Sequence, residues 1–146
     1  MLSGYRFSYP IELRFRDLDA LGHVNNVVYL TYMESARMAW WLKLTGREDL
    51  GDLRMILART EIDYRSPAGF GDRLVVGVRC ASLSRSSFSL EFRIEETRSG
   101  RLVAEARKVL VHYDYAARRS TPIPDALRRQ ILAQDPEARD VSAEAR

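Results

Sequence analysis

The order of apolar and polar positions divides the chain into a strand, a long helix, a run of strands and a short helix. Residues 5–16 alternate, with Ile11, Leu13 and Phe15 on one side and Glu12, Arg14 and Arg16 on the other, which predicts a strand with one buried face. The polar stretch DLDALGHVNN follows and reads as a turn around Gly22, with Asn25 or Asn26 suited to cap a helix. From 27 to 44 there is no Gly or Pro. Tyr29, Met33, Ala36, Trp40 and Leu44 recur at helical spacing, and Leu30, Trp41 and Leu42 widen the stripe. A helix of roughly 18 residues, about 27 Å long, should end at Gly46. Because it is apolar around most of its circumference, it should lie against or inside a sheet.

After residue 58 the period becomes two. Ile62 and Tyr64 alternate with Glu61, Asp63 and Arg65 until Ser66-Pro67 breaks the run. Residues 73–83, 86–97 and 102–115 form further strand-like runs, separated by turn signals at LSRSS and at Arg98-Ser99-Gly100-Arg101. PDALRRQIL has the look of a short amphipathic helix after Pro124, with Leu127 and Ile131 on one face. Helical and strand periods are segregated, which predicts an α+β fold: an antiparallel sheet of about five strands covered by the first helix. Residues 1–133 are expected to form a single domain. Residues 134–146 hold almost no large apolar side chain and are expected to be a flexible tail.

Composition narrows the function classes. The 146 residues carry 23 Lys+Arg and 20 Asp+Glu, a formal net charge of +3. Nearly all the cations are arginine, since Lys43 and Lys108 are the two lysines. The arginines are scattered and no zinc-finger spacing, RNA-binding signature or basic helical stripe accompanies them, so no nucleic-acid partner is expected. No apolar run reaches the roughly 18 residues of a membrane span, and the start does not read as a signal peptide, so no membrane partner is expected. A single cysteine, Cys80, fits a reducing compartment, and the expected location is the cytoplasm. His23 and His112 lack a third ligand at suitable spacing, so no metal is expected.

The candidate chemistry is concentrated in residues 17–26, which set Asp17, Asp19, His23, Asn25 and Asn26 between a strand and the start of a buried helix. A helix N-terminus offers free N–H groups and a partial positive charge that can polarise a carbonyl oxygen. A nearby carboxylate can then attack the polarised carbon or activate water. Taken by themselves, Asp, Gly, His and Asn are also what any turn contains, so capping and turn roles stay open for all of them. Asp17 is better suited to pair with an arginine, and Glu34 and Arg37, one helical turn apart, to pair with each other. Tyr29 and Tyr32 suit a core or interface, His112 a structural role, and Cys80 lacks a paired base. Arg85, Arg118 and Arg119 are placed at turns or ends where they could meet phosphates or solvent.

The run IELRFRDLDALGHVNNVVYLTYMESAR resembles the first motif of the hotdog-fold thioesterases, in the branch around 4-hydroxybenzoyl-CoA thioesterase and related acyl-CoA thioesterases. Its DLDxxGHVNNxxY form also resembles plant acyl-carrier-protein thioesterases. TEIDYRSPAGFGDRLVV, SRSSFSLEFRIEE and VLVHYDYAARRSTPIP resemble the later strands, so the likeness runs over about residues 8–130. It implies a hotdog fold, in which the sheet wraps around the long helix. It implies Asp19 as the catalytic carboxylate and the Asn26 backbone N–H as the group that polarises the thioester carbonyl. Gly22, which shapes the turn, His23 and Tyr29 are the implied substrate contacts. The implied reaction is hydrolysis of an acyl-CoA to free acid and coenzyme A, with no cofactor, in a homodimer or homotetramer whose sites lie at subunit boundaries. Where the plant enzymes place an Asn two residues after the Asp, this chain has Leu21, which argues against the carrier-protein substrate. A non-catalytic acyl-CoA-binding module is the remaining alternative, and Asp19 argues against it.

Overall fold

A computed structural model describes residues 2–51 and 53–144. Its elements run β1 (Phe7–Ile11), α1 (Val28–Thr45), β2 (Met55–Tyr64), β3 (Leu74–Leu83), β4 (Ser87–Glu96), β5 (Leu102–Asp114), β6 (Arg119–Ser120), α2 (Asp125–Gln134) and β7 (Arg139–Asp140). The five long strands lie in the order β1-β3-β4-β5-β2, and every neighbouring pair on that path is antiparallel. The segregated periods therefore point to the right class.

α1 packs on the sheet through Tyr29, Tyr32, Met33, Ala36, Trp40 and Trp41, which meet Val76, Val78, Leu90, Phe92 and Leu110 in one continuous core. The helix closes where expected: Gly46 takes φ 68, a left-handed conformation that glycine adopts without a Cβ clash. Its start is set by Asn25, whose Oδ1 accepts from the Val27 N–H at 3.0 Å while its carbonyl accepts from Val28 at 2.9 Å. The β3–β4 hairpin forms at the serine-rich turn, where Ser84 donates its N–H to the Ser87 carbonyl and the two hydroxyls lie 2.7 Å apart.

Two boundaries depart from the sequence pattern. β1 stops at Ile11 because that residue pairs with Leu74, the first residue of β3; beyond it there is no partner strand. Residues 15–17 form a 3₁₀ turn instead. β2 starts at Met55, ahead of the alternating run, because a register shift between Leu57 and Arg59 breaks the period of two on this edge strand. Between residues 134 and 141 the chain packs against the sheet. Asp135 is buried and its Oδ2 accepts from the Cys80 N–H at 2.9 Å. Arg139–Asp140 pairs parallel to Ser82 and Leu83, and Arg128 grips Asp140 at 3.0 Å. Polar and backbone contacts hold this stretch, so a search for apolar residues does not find them.

Candidate active site

The turn between β1 and α1 is built on two carboxylates with opposite surroundings. Asp17 is 4% exposed. Its Oδ2 accepts from the Arg14 N–H at 3.0 Å and from the Tyr32 hydroxyl at 2.8 Å, and its Oδ1 lies 3.5 Å from the Arg14 guanidinium. Burial works to raise its pKa, but the bonds from Arg14 and Tyr32 outweigh burial and hold it below the usual carboxylate value. Tyr32 is pushed well up by burial and by the same bond to Asp17. Asp17 is thus a structural anchor paired with an arginine, as the sequence suggests, and it also fixes α1 to the turn.

Asp19 is exposed and held differently. Its Oδ1 accepts from the Leu21 N–H at 2.9 Å and the His23 N–H at 3.3 Å, and its own N–H donates to the His23 carbonyl at 2.7 Å. Both side-chain bonds fall on one oxygen, so among the described residues no donor reaches Oδ2. Gly22 makes this tight turn feasible. Its φ of 78 lies in the left-handed region, and its N–H donates to the Asp19 carbonyl at 3.1 Å.

A surface cleft of about 360 Å³ joins Asp19, His23, Val24, Asn26 and Tyr29 to Tyr64, Arg65, Ser66 and Pro67 at the end of β2. Four of the five expected site residues therefore line one space, and Gly22 stands outside it as the turn former. Asn26 is fixed through its carbonyl, which accepts from the Tyr64 hydroxyl at 2.9 Å. Its N–H has no acceptor among the described residues. Tyr29 is buried and its hydroxyl oxygen accepts from the Ala68 N–H at 3.2 Å, which braces the wall, while its own O–H finds no acceptor among the described residues. Burial raises its pKa.

In the sequence the wall 64–68 reads only as a strand end and a break. It is held by Arg101, which donates to Ser66 Oγ at 2.8 Å and the Pro67 carbonyl at 2.6 Å and pairs with Asp72 at 3.0 Å. The Val24 N–H donates to the Ala68 carbonyl at 2.8 Å and links the two sides. Nothing local in the sequence announces this pairing; the Tyr29 and Ala68 partners, for example, are 39 residues apart. Ser66-Pro67 is the one visible signal.

The other candidates fall outside the cleft. Cys80 is buried, with its thiol pushed up to about 12 by burial, too high for a nucleophile. His112 shares a 2.7 Å hydrogen bond with Thr121, and burial lowers its pKa. Glu34 and Arg37 form no ion pair among the described residues. Arg85, Arg118 and Arg119 are exposed and do not line the cleft.

The turn, the helix start and the wrapped sheet together define a thioesterase architecture, and the comparisons agree. The family model of the thioesterase-like superfamily matches residues 13–131, so the chain belongs to that family, has a hotdog fold and is a thioester hydrolase by class. It is similar to a thioesterase of Thermus thermophilus solved with coenzyme A and Zn: 38% identity, TM-score 0.83, covering 92% of this chain and 98% of that one. It is 27% identical over 133 residues to the 1,4-dihydroxy-2-naphthoyl-CoA hydrolase of Synechocystis, covering 88% of this chain and 96% of the relative. It is also 27% identical over 126 residues to the long-chain acyl-CoA thioesterase FadM of Escherichia coli, covering 83% of this chain and 93% of the relative.

Proposed function

We propose that this protein hydrolyses acyl-CoA thioesters to a free carboxylic acid and coenzyme A, with Asp19 as the reacting carboxylate and the Asn26 N–H as the oxyanion donor. The observation that carries the reading is that one cleft presents both groups unspent: Asp19 Oδ2 without a donor and the Asn26 N–H without an acceptor among the described residues. In the reaction, Asp19 either attacks the thioester carbon or takes a proton from the water that does. The carbonyl oxygen gains negative charge and is held by the Asn26 N–H at the positive end of α1. The C–S bond then breaks. The thiolate of coenzyme A leaves readily, because a thiol of pKa about 8.5 is a good leaving group. Where Asp19 attacks directly, water then cleaves the acyl–Asp19 anhydride and regenerates the carboxylate; on either route water supplies the acid's second oxygen and the proton the thiolate takes up.

His23 and Tyr29 would contact the thioester arm as cleft walls, with Gly22 setting the turn that aims Asp19. Coenzyme A is preferred to a carrier protein because the Thermus thermophilus relative was solved with coenzyme A and the two curated relatives are named for CoA substrates. The working form is a homodimer or a homotetramer. Exposed Tyr64 lines the cleft, Phe15, Leu21, Val27 and Phe70 are exposed on the chain segments that lead into it, and the edge strand β2 leaves Ile56 and Leu57 open, apolar surface that a second copy would cover. The unpaired Cys80 supports the cytoplasm as the compartment. The test is release of free thiol from a panel of acyl-CoA thioesters, run beside the same acyl groups on carrier protein. Hydrolysis of the CoA esters is expected; binding without thiol release, or turnover of the carrier-protein esters alone, would overturn it.

A further inference from the structure

Away from the cleft, β5 and α1 each carry a cation that the proposed chemistry does not use. Lys108 of β5 is 3% exposed. Its ammonium stands 5.2 Å from the centre of the Phe92 ring, and no hydrogen-bond acceptor reaches it among the described residues. Across from it on α1, Arg37 buries its Nε without an acceptor, and Trp41, one turn further on, buries its Nε1 in the same way. Arg37 and Trp41 share a narrow apolar slot with Met55 and Leu110. Burial pulls Lys108 down to about 8, assisted by Arg37 and opposed by Glu34. Burial lowers Arg37 too, again with only Glu34 opposing. The buried Lys108 and the half-buried Arg37 have one opposing carboxylate near them, Glu34, which lies on the exposed side of the helix. Such an arrangement is unfavourable until an anion joins it.

The position of this pair relative to the cleft says what the anion would be. Tyr64, on the cleft wall, pairs with Ala104, and Thr60 pairs with Lys108. Lys108 thus lies four residues further along the same two strands, about 13 Å at 3.3 Å per residue. Arg37 lies eight residues beyond Tyr29 on α1, about 12 Å at 1.5 Å per residue. By this count the two positions lie at about the same distance from the cleft, one along β5 and the other along α1.

Building on the acyl-CoA reading above, we infer that the acyl group lies in the seam between α1 and the β2–β5 edge and that Lys108 and Arg37 bind an anionic group, such as a carboxylate, at its far end. The substrate class is then an acyl-CoA whose chain ends in a negative charge. The experiment compares kcat/KM for ω-carboxyacyl-CoA thioesters of increasing length with plain acyl-CoA thioesters of matching length. The expected result is a preference of about tenfold or more for the charged member at one length, in keeping with hydrogen bonds to a charged group. That ratio should fall about tenfold in Lys108→Met and fall also in Arg37→Met, each normalised to folded protein by circular dichroism. Equal rates for the two series in the wild type overturn the inference alone, as they would if a carboxylate of a second copy filled the site. A preference that survives both substitutions overturns the assignment as well. Hydrolysis of neither series overturns the acyl-CoA reading and this inference with it.

Discussion

The two ends of α1 use one helix in opposite ways. At its far end Trp40 and Trp41 are sealed against Phe88, Leu110 and the rest of the core, and the Trp40 and Phe88 rings lie 6.2 Å apart. At its front end the polar turn leaves Asp19, His23 and Asn26 exposed along a cleft. The tryptophan end gains stability from area removed from water. The front end keeps the Asn26 N–H and one oxygen of Asp19 without partners among the described residues, which contributes nothing to folding but is what a reacting carbonyl needs. Asp17 stands between the two regimes. Two residues from Asp19, it is buried and spends its oxygens on Arg14 and Tyr32.

Substitutions should separate these roles. Asp19→Asn should lower kcat by about 10²- to 10⁴-fold, the range of a lost positioned acid–base group, while the melting temperature stays within a degree or so of wild type. Thiol-release kinetics and a thermal melt check both halves; an active Asp19→Asn enzyme breaks the comparison. Trp40→Ala should do the reverse and cost about 3–5 kcal/mol of unfolding free energy in a denaturant titration. Its per-molecule turnover should stay far nearer wild type than that of Asp19→Asn.

Asp17→Asn should cost about 1–3 kcal/mol, because charge-assisted bonds to Arg14 and Tyr32 are weakened inside the fold. Its pH dependence sharpens the point. The folded-state pKa of Asp17 lies below its ordinary value of 3.8. Stability from this group is therefore present above about pH 4 and is lost as pH falls through the folded-state value. The gap between wild type and Asp17→Asn should be widest near neutrality and should close in acid, which melts across a pH series would show. The smallest effect is expected from Tyr64→Phe. Losing the hydroxyl that holds the Asn26 carbonyl should reduce kcat by about three- to tenfold through looser placement of the oxyanion donor, with less than about 1.5 kcal/mol lost in stability.

Much of this molecule is legible in its sequence because its signals are local. The helical spacing from Tyr29 to Leu44, the Gly46 stop and the D-x-D turn each depend on residues a few positions apart. They determine the class of fold, the long covered helix and the segment that bears Asp19 and Asn26. The β2 start is less legible because the register shift at Leu57 and Arg59 scrambles the alternation on an edge whose apolar residues face outward. The stretch after 133 escapes a reading by hydrophobic pattern because Asp135 and Asp140 hold it by charge and hydrogen bonds, not by burial of large side chains.

Only the tertiary structure decided which groups share a space. It brought Tyr64 to the Asn26 carbonyl, Ala68 to the Tyr29 hydroxyl, and the Arg101 guanidinium to Ser66 and Pro67. Each of these meetings joins residues dozens of positions apart through sheet register and helix placement. A sequence pattern records the period of an element and its punctuation; it carries no term for the partner that a side chain will find, because that is set by packing the whole core at once.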